Sequence, residues 1–94
     1  MKSIYTMVGM QYRKSNRLLA SLKRGARLEL RRDPNNPVDS NAVEVWYGDK
    51  HVAFIKAIQA VALAREMDNS KRSTINGRLM FFDDDHWPEV EVEL

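Results

Sequence analysis

The sequence predicts a mainly β fold with two helices, a small, partly open β-barrel of five to six strands. Stretches in which apolar and charged residues alternate recur along the chain, separated by Gly, Pro and Asx residues, as in half-buried strands. At 94 residues, 44% hydrophobic and 30% charged, the chain can bury one modest core, so residues 1–94 are expected to form a single domain. Several short strands around one core favour a barrel over a sandwich.

The N-terminal third is predicted to contain two strands and one helix. Residues 4–9 have the apolar and β-branched character of a strand. Leucines at helical spacing predict a short helix that ends at Gly25. Leu28 and Leu30 then alternate with charged residues, which indicates a strand with one face buried.

The remaining two thirds contain four predicted strands and a longer helix. In order, these are a strand over 42–47, a hairpin turn over 48–50, a strand over 51–55, a helix over 56–67, a strand over 73–82 and a last strand at the alternating residues 89–94. Gly77 is predicted to be a β-bulge in the fifth strand.

Composition excludes several classes of protein. The chain has no cysteine, so it has neither a disulfide framework nor a thiolate metal site. No apolar run is long enough for a transmembrane helix, and the N-terminus lacks the apolar segment of a signal peptide, so a cytoplasmic location is expected. The chain contains no nucleophile–base pair and no phosphate-binding glycine loop, so neither enzymatic activity nor a cofactor is expected.

Charge is distributed unevenly along the chain. Residues 1–32 contain nine Lys or Arg and one acidic residue, whereas residues 33–94 contain six and twelve. A basic face with an aromatic residue, here Tyr12, suits a single-stranded nucleic acid, because cations neutralise phosphates and a ring stacks on a base. One alternative is that the two oppositely charged halves fold against each other and largely neutralise. Another is a solvated basic surface in which Tyr12 is an ordinary half-buried residue.

Two prolines and several Asx residues form a dense cluster between residues 33 and 41. Such a cluster predicts a rigid loop that presents amide and carboxylate groups at fixed positions. The alternative is a purely structural loop, in which the Asx side chains cap turns and the prolines fix φ.

A second polar cluster is Asp83-Asp84-Asp85-His86. Its carboxylates and imidazole are ligands that a metal ion could take. Because adjacent residues cannot all converge on one ion, an acidic hairpin loop is the favoured interpretation, and no metal is expected.

The run Arg-Asp-Pro-Asn-Asn-Pro-Val-Asp-Ser-Asn-Ala-Val from Arg32 to Val43, with Val8 to Tyr12 and Val52 to Ile55, resembles the HIRAN domain family. The resemblance covers nearly the whole chain and implies a small barrel related to the OB-fold. HIRAN domains occur fused to fork-remodelling DNA translocases and as small stand-alone prokaryotic or phage proteins. The chain is expected to be of the second kind, because no motor domain accompanies it.

The resemblance also implies a partner and a binding site. In a eukaryotic member, the domain holds the 3′-hydroxyl end of single-stranded DNA. Carried over by position, Asp39 would accept a hydrogen bond from the hydroxyl, Asn36 would orient the last nucleotide, and Tyr12 would stack on a terminal base. A carboxylate accepts from a hydroxyl but repels a phosphate, so it can distinguish the two kinds of end.

The chain departs from that family member at five of the implied positions. Arg13 replaces an aromatic residue, Gln11 an arginine, Val38 a tyrosine, Phe54 a histidine and Ala57 a lysine. Phe54 and Trp87 are candidates for substitute rings. The predicted DNA contacts are Gln11, Tyr12, Arg13, Arg32, Asn36, Val38, Asp39, Phe54 and Trp87, with a basic surface of Lys14, Arg17, Arg24 and Arg27.

The leading hypothesis is a non-enzymatic module that binds single-stranded DNA at 3′-hydroxyl ends, with DNA-processing proteins as further partners and no membrane association. The choice between DNA and RNA stays open. The main alternative is a protein-interaction adaptor without end recognition, whose glutamate-rich last strand would add to another sheet or form a weak homodimer. A third hypothesis is a metal-dependent nuclease built on residues 83–86.

Overall fold

The computed structural model describes residues 2–9, 21–83 and 86–93, with side chains at all of these except 81–83 and 86. These residues form six strands and one helix. They are β1 (Lys2–Val8), β2 (Arg27–Arg32), β3 (Val43–Tyr47), β4 (Lys50–Ile55), α1 (Ala57–Asn69), β5 (Thr74–Asp83) and β6 (His86–Glu93). No helix among the described residues is long and apolar enough to cross a membrane.

The six strands close into an antiparallel barrel in the order β1-β4-β3-β2-β5-β6. The join between β1 and β4 is short, since it consists of the pairs Met7–Ile55 and Val8–Phe54. Closure places β6 between β1 and β5. Along residues 89–92 the backbone of β6 is therefore paired on both sides and cannot add to the edge of another sheet.

The core consists of the inward-facing residues of the strands and one face of α1. Alternate residues of β2, β3 and β6 are fully buried, and α1 adds four more, as the following set shows: Leu28, Leu30, Val43, Val45, Val90, Val92, Ala60, Leu63, Ala64 and Met67. Each large apolar side chain contributes about 1.5–3 kcal/mol by leaving water. Since α1 follows the end of β4 and leads to the start of β5, it lies at the end of the barrel where β2 terminates.

Gly77 does not form a bulge, so that prediction is wrong. It pairs in regular register with Leu28 on β2 and Val92 on β6, while the irregularities of β5 lie further on, between Leu79 and Asp83. A Cβ at Gly77 would lie 2.6 Å from Val90 Cγ2 and 3.1 Å from the Glu91 carbonyl oxygen. Glycine is required there because neighbouring atoms occupy the space of a side chain.

The predicted fold class is confirmed, with a closed barrel rather than a partly open one. The predicted strands over 42–47 and 51–55 and the helix over 56–67 agree with β3, β4 and α1 to within two residues. The last strand begins at His86, earlier than the alternation of residues 89–94 predicted. The short helix predicted before Gly25 falls largely on residues 10–20, outside the described residues.

Candidate nucleic-acid interface

The loop that joins β2 to β3, residues 33–42, is held in shape by its own polar groups. Its two ends meet where the Asp33 N–H donates to the Ala42 carbonyl at 3.0 Å. Inside it, the Asn36 N–H donates to the Asp33 carbonyl at 3.2 Å and the Ala42 N–H to the Asp39 carbonyl at 3.0 Å. The loop is therefore formed before any ligand binds.

Asn36 organises the first half of this loop. Its Oδ1 accepts from the backbone N–H groups of Val38 at 2.9 Å and Asp39 at 3.0 Å, and its Nδ2 donates to Asp33 Oδ2 at 3.0 Å. The structural interpretation of the cluster thus explains Asn36 well, since these are Asx-turn contacts. The second N–H of the Asn36 amide has no partner among the described residues, and a pre-formed loop lowers the entropy cost of binding.

The Asp39 side chain is fixed in orientation, but only one of its two carboxylate oxygens accepts a hydrogen bond from a described residue. Its Oδ1 accepts from the Asn41 N–H at 2.8 Å. Its Oδ2 has no hydrogen-bond partner among the residues that the structure describes. The side chain is half-buried, so this oxygen is held at the surface in a defined direction. Beside it, Val38 projects from the loop with 92% of its surface exposed.

Arg32 lies under the loop, with a side chain that is only 8% exposed. Its Nη1 donates to the carbonyls of Ser40 and Ala42, each at 3.0 Å. Its Nε and Nη2 donate to the two carboxylate oxygens of Asp68, at 3.0 and 3.1 Å. The guanidinium therefore joins the loop to the C-terminal turn of α1, and we do not retain Arg32 as a contact to DNA.

Asp68 is affected electrostatically by this contact. The hydrogen bonds from Arg32, helped by its positive charge and opposed by partial desolvation, hold the pKa of the Asp68 carboxyl below its ordinary value of 3.8. The carboxylate is thus charged at neutral pH, as a bidentate contact with a guanidinium requires.

Phe54 and Trp87, the two candidate substitute rings, lie on β4 and β6, the two strands that pair with β1. Val8 pairs with Phe54 of β4. On its other side β1 pairs with β6 from Lys2–Glu93 to Thr6–Glu89, and Trp87 precedes that paired part of β6 by two residues. Phe54 is half-buried and Trp87 is 53% exposed.

Gly9 follows directly, with φ +86°, and a Cβ there would lie 3.5 Å from Phe54 Cδ2. The chain thus passes Phe54 closely as it enters residues 10–20. Phe54 pairs with Glu44 of β3, and Glu44 pairs with Arg31 near the end of β2. This region therefore lies at the end of the barrel that carries the loop of residues 33–42.

A row of stacked side chains on the outer face of β2, β3 and β4 was not predicted. The Arg31 guanidinium carbon lies 4.1 Å from the centre of the Trp46 ring, and Trp46 stacks on His51 at 5.3 Å and 12°. His51 meets Phe54 edge to face at 4.7 Å. Since both faces of Trp46 are covered, this row stabilises the sheet and is not an open platform for bases. The alternation of apolar and polar residues in β3 would place Trp46 on the outer face. Which side chains lie beside it, however, depends on a register shift between Val45 and Trp46 in the pairing with β4.

The other predicted contacts separate into two groups. Gln11, Tyr12, Arg13, Lys14 and Arg17 lie outside the described residues. Arg24 and Arg27 are exposed, at or before the start of β2, at the opposite end of that strand from the loop. Among the described residues, no group of three or more His, Cys, Asp or Glu side chains is arranged to hold a metal ion. The nuclease hypothesis rests on residues 83–86, whose side chains are not among those that the structure describes.

Comparison with known proteins decides the family. The family model described as the HIRAN domain matches residues 2–93. The chain belongs to the HIRAN family. HIRAN domains are known in general for binding nucleic acid.

Solved structures agree with this assignment. The HIRAN domain of human HLTF has a TM-score of 0.74 and 28% identity, over 96% of this chain and 71% of that chain. A protein from Lactobacillus plantarum has a TM-score of 0.76 and 24% identity, over 99% of this chain and 100% of that chain, which shows likeness of fold. Among curated proteins, no match was found.

Proposed function

We propose that this HIRAN domain binds single-stranded DNA and recognises its 3′-hydroxyl end at the loop of residues 33–42. Asp39 accepts a hydrogen bond from the terminal hydroxyl, and Asn36 orients the last nucleotide. The domain performs no chemistry and serves DNA-processing proteins as a binding module.

The observation that carries this proposal is the state of the Asp39 carboxylate. One oxygen is fixed by the Asn41 N–H, and the other has no partner among the described residues. A carboxylate in this state has one acceptor position to fill, and a hydroxyl donor fills it. A terminal phosphate brings negative charge to the same point and is repelled.

The rings beside β1 support a contact with bases. Phe54 lies opposite Val8, Trp87 precedes the part of β6 that pairs with β1 by two residues, and Tyr12 follows three residues after Gly9. Stacking on an aromatic ring contributes about 1–3 kcal/mol per base. Aromatic side chains at the loop end of the barrel can thus replace the tyrosine and histidine that this chain lacks at Val38 and Phe54.

Fluorescence anisotropy with labelled single strands tests the proposal. Three ligands of one sequence suffice: a strand with a free 3′-hydroxyl, one with a 3′-phosphate, and a circular strand with no end. We expect the free hydroxyl to bind most tightly. Equal affinity for all three would eliminate end recognition, and no binding at low salt would eliminate the nucleic-acid function. The same strands made of ribonucleotides decide between DNA and RNA.

The adaptor alternative has one observation in its favour. Ile58 and Val61 lie one turn apart on the outer face of α1 and are 78% and 44% exposed. An apolar pair on a helix can contact another protein. The alternative no longer includes strand addition at β6, because that strand is paired on both sides. If the domain were an adaptor, the double substitution Ile58→Ser with Val61→Ser would abolish capture of the partner protein. Neither the unaltered protein nor the double variant would then bind DNA.

A further inference from the structure

A second concave surface lies away from the loop, on the outer face of the barrel. It is a groove of about 340 Å³ formed by strands β1, β2, β5 and β6. Its charged lining includes Lys2, Arg27 and Arg78, together with Glu91 and Glu93. We call it the Arg27–Arg78 groove.

Two arginines face each other in this groove, and Glu91 of β6 lies opposite Arg78 on the other side of β5. Arg27 and Arg78 are directly opposite on β2 and β5, and both are exposed. Arg78 donates to the Gly25 carbonyl at 3.2 Å, whereas Arg27 makes no hydrogen bond or ion pair with any residue that the structure describes. Like charges directly opposite on neighbouring strands destabilise a sheet. An anion bound between them would remove that repulsion.

The other charges of the groove indicate how much negative charge it accepts. Lys2 lies 4.0 Å from Glu91 and pairs across the strands with Glu93, so the acidic side is partly neutralised. Three cations against two carboxylates leave one excess positive charge in the groove. A phosphodiester, with a single negative charge, matches this balance better than a polyphosphate does.

The position of the groove relative to the loop suggests which phosphodiester it holds. Arg27 and Arg32 are the two ends of β2, which are about 17 Å apart at about 3.3 Å per residue. Between them, the outer face of β2 carries Glu29 and Arg31, which form an ion pair with each other. A strand can therefore cross this face without meeting an unpaired carboxylate of β2.

We propose that the Arg27–Arg78 groove binds a backbone phosphodiester of the same single strand whose 3′ end lies at the loop. This inference rests on the proposed function and extends it to a longer site. Because the groove and the loop are separated, a short strand reaches only the loop, and a longer one reaches both. Single-strand sites on OB-like folds commonly span about 4–16 nucleotides, which allows this distance.

Anisotropy with strands of about 3 and about 12 nucleotides, all ending in a 3′-hydroxyl, tests the inference. The variant Arg27→Ala with Arg78→Ala should bind the short strand like the unaltered protein and the long strand roughly tenfold more weakly. For the long strand the slope of log affinity against log salt should become shallower by about 0.7 for each phosphate that the variant no longer neutralises. The fold should be intact, because the two side chains are exposed and repel each other.

The matched control is Arg65→Ala with Arg72→Ala, which removes the same charge from two exposed arginines at α1 and beyond its end. Equal weakening by both double variants would mean that net charge alone acts, and would overturn the inference. An unchanged long-strand affinity in the groove variant would overturn it too. Failure of the proposed function gives a different result from failure of this inference. In that case the unaltered protein would bind the short strand with equal affinity whether it ends in a 3′-hydroxyl or a 3′-phosphate.

Discussion

Arg32 provides the sharpest test of how the loop is held. The substitution Arg32→Ala removes two hydrogen bonds to the carbonyls of Ser40 and Ala42 and the ion pair with Asp68. Hydrogen bonds from a charged donor contribute about 1.5–3 kcal/mol each, and less where water reaches them, as at Ser40. From the two hydrogen bonds to carbonyls alone, we expect the free energy of unfolding to fall by about 2–3 kcal/mol.

For a domain of this size such a decrease lowers Tm by roughly 10–20 °C, which thermal unfolding followed by circular dichroism measures directly. Selectivity for the 3′-hydroxyl should fall as well, because the Ser40 and Ala42 carbonyls flank Asn41, which fixes Asp39. The control is Arg72→Ala, which truncates an exposed arginine and should change neither property. An unchanged Tm with weaker binding and a flatter salt dependence would refute this reasoning, because it would mean that Arg32 contacts phosphate.

Three further outcomes are expected. The pKa of Asp68 lies below its ordinary value of 3.8, so its ion pair with Arg32 stabilises the fold above that pH and ceases to do so as pH falls through the lowered value. The decrease of Tm in acid should therefore be smaller in Asp68→Asn than in the unaltered protein. Gly77→Ala should lower the free energy of unfolding measured in urea by about 1–3 kcal/mol, because the added Cβ would overlap Val90. The comparison variant is Gly48→Ala, whose added Cβ meets no neighbouring atom and which is strained only by its φ of +61°. Asn36→Ala removes three hydrogen bonds within the loop and should abolish end selectivity while a circular strand binds as before; retained selectivity would contradict the role given to this loop.

The features that could be predicted from the sequence are those that depend on local patterns of residues. Alternation identified the strands, and the cluster of prolines and Asx residues correctly indicated a loop held by its own side chains. Gly77 was misinterpreted because a glycine that avoids a clash looks the same in sequence as a glycine at a bulge. The role of Arg32 could not be predicted, since its partner Asp68 lies 36 residues further along the chain. The stacking of Trp46 on His51 likewise depends on a register shift that no local pattern specifies.

The substitution Asp39→Asn tests whether the Asp39 oxygen without a partner among the described residues accepts a hydrogen bond from the terminal hydroxyl. The amide can still accept from the Asn41 N–H, but it removes the charge and presents a donor where the free oxygen was. A matched removal of charge, Asp49→Asn in the exposed β3–β4 turn, is the control.

The measurement is the ratio of Kd for 3′-phosphate and 3′-hydroxyl strands. A charged hydrogen bond of about 1.5–3 kcal/mol predicts a ratio of roughly 10–100 in the unaltered protein and in Asp49→Asn. In Asp39→Asn the ratio should fall to about 1 or below, because the repulsion of phosphate disappears together with the acceptor. A ratio that stays near its unaltered value in Asp39→Asn would contradict recognition of the terminal hydroxyl by Asp39.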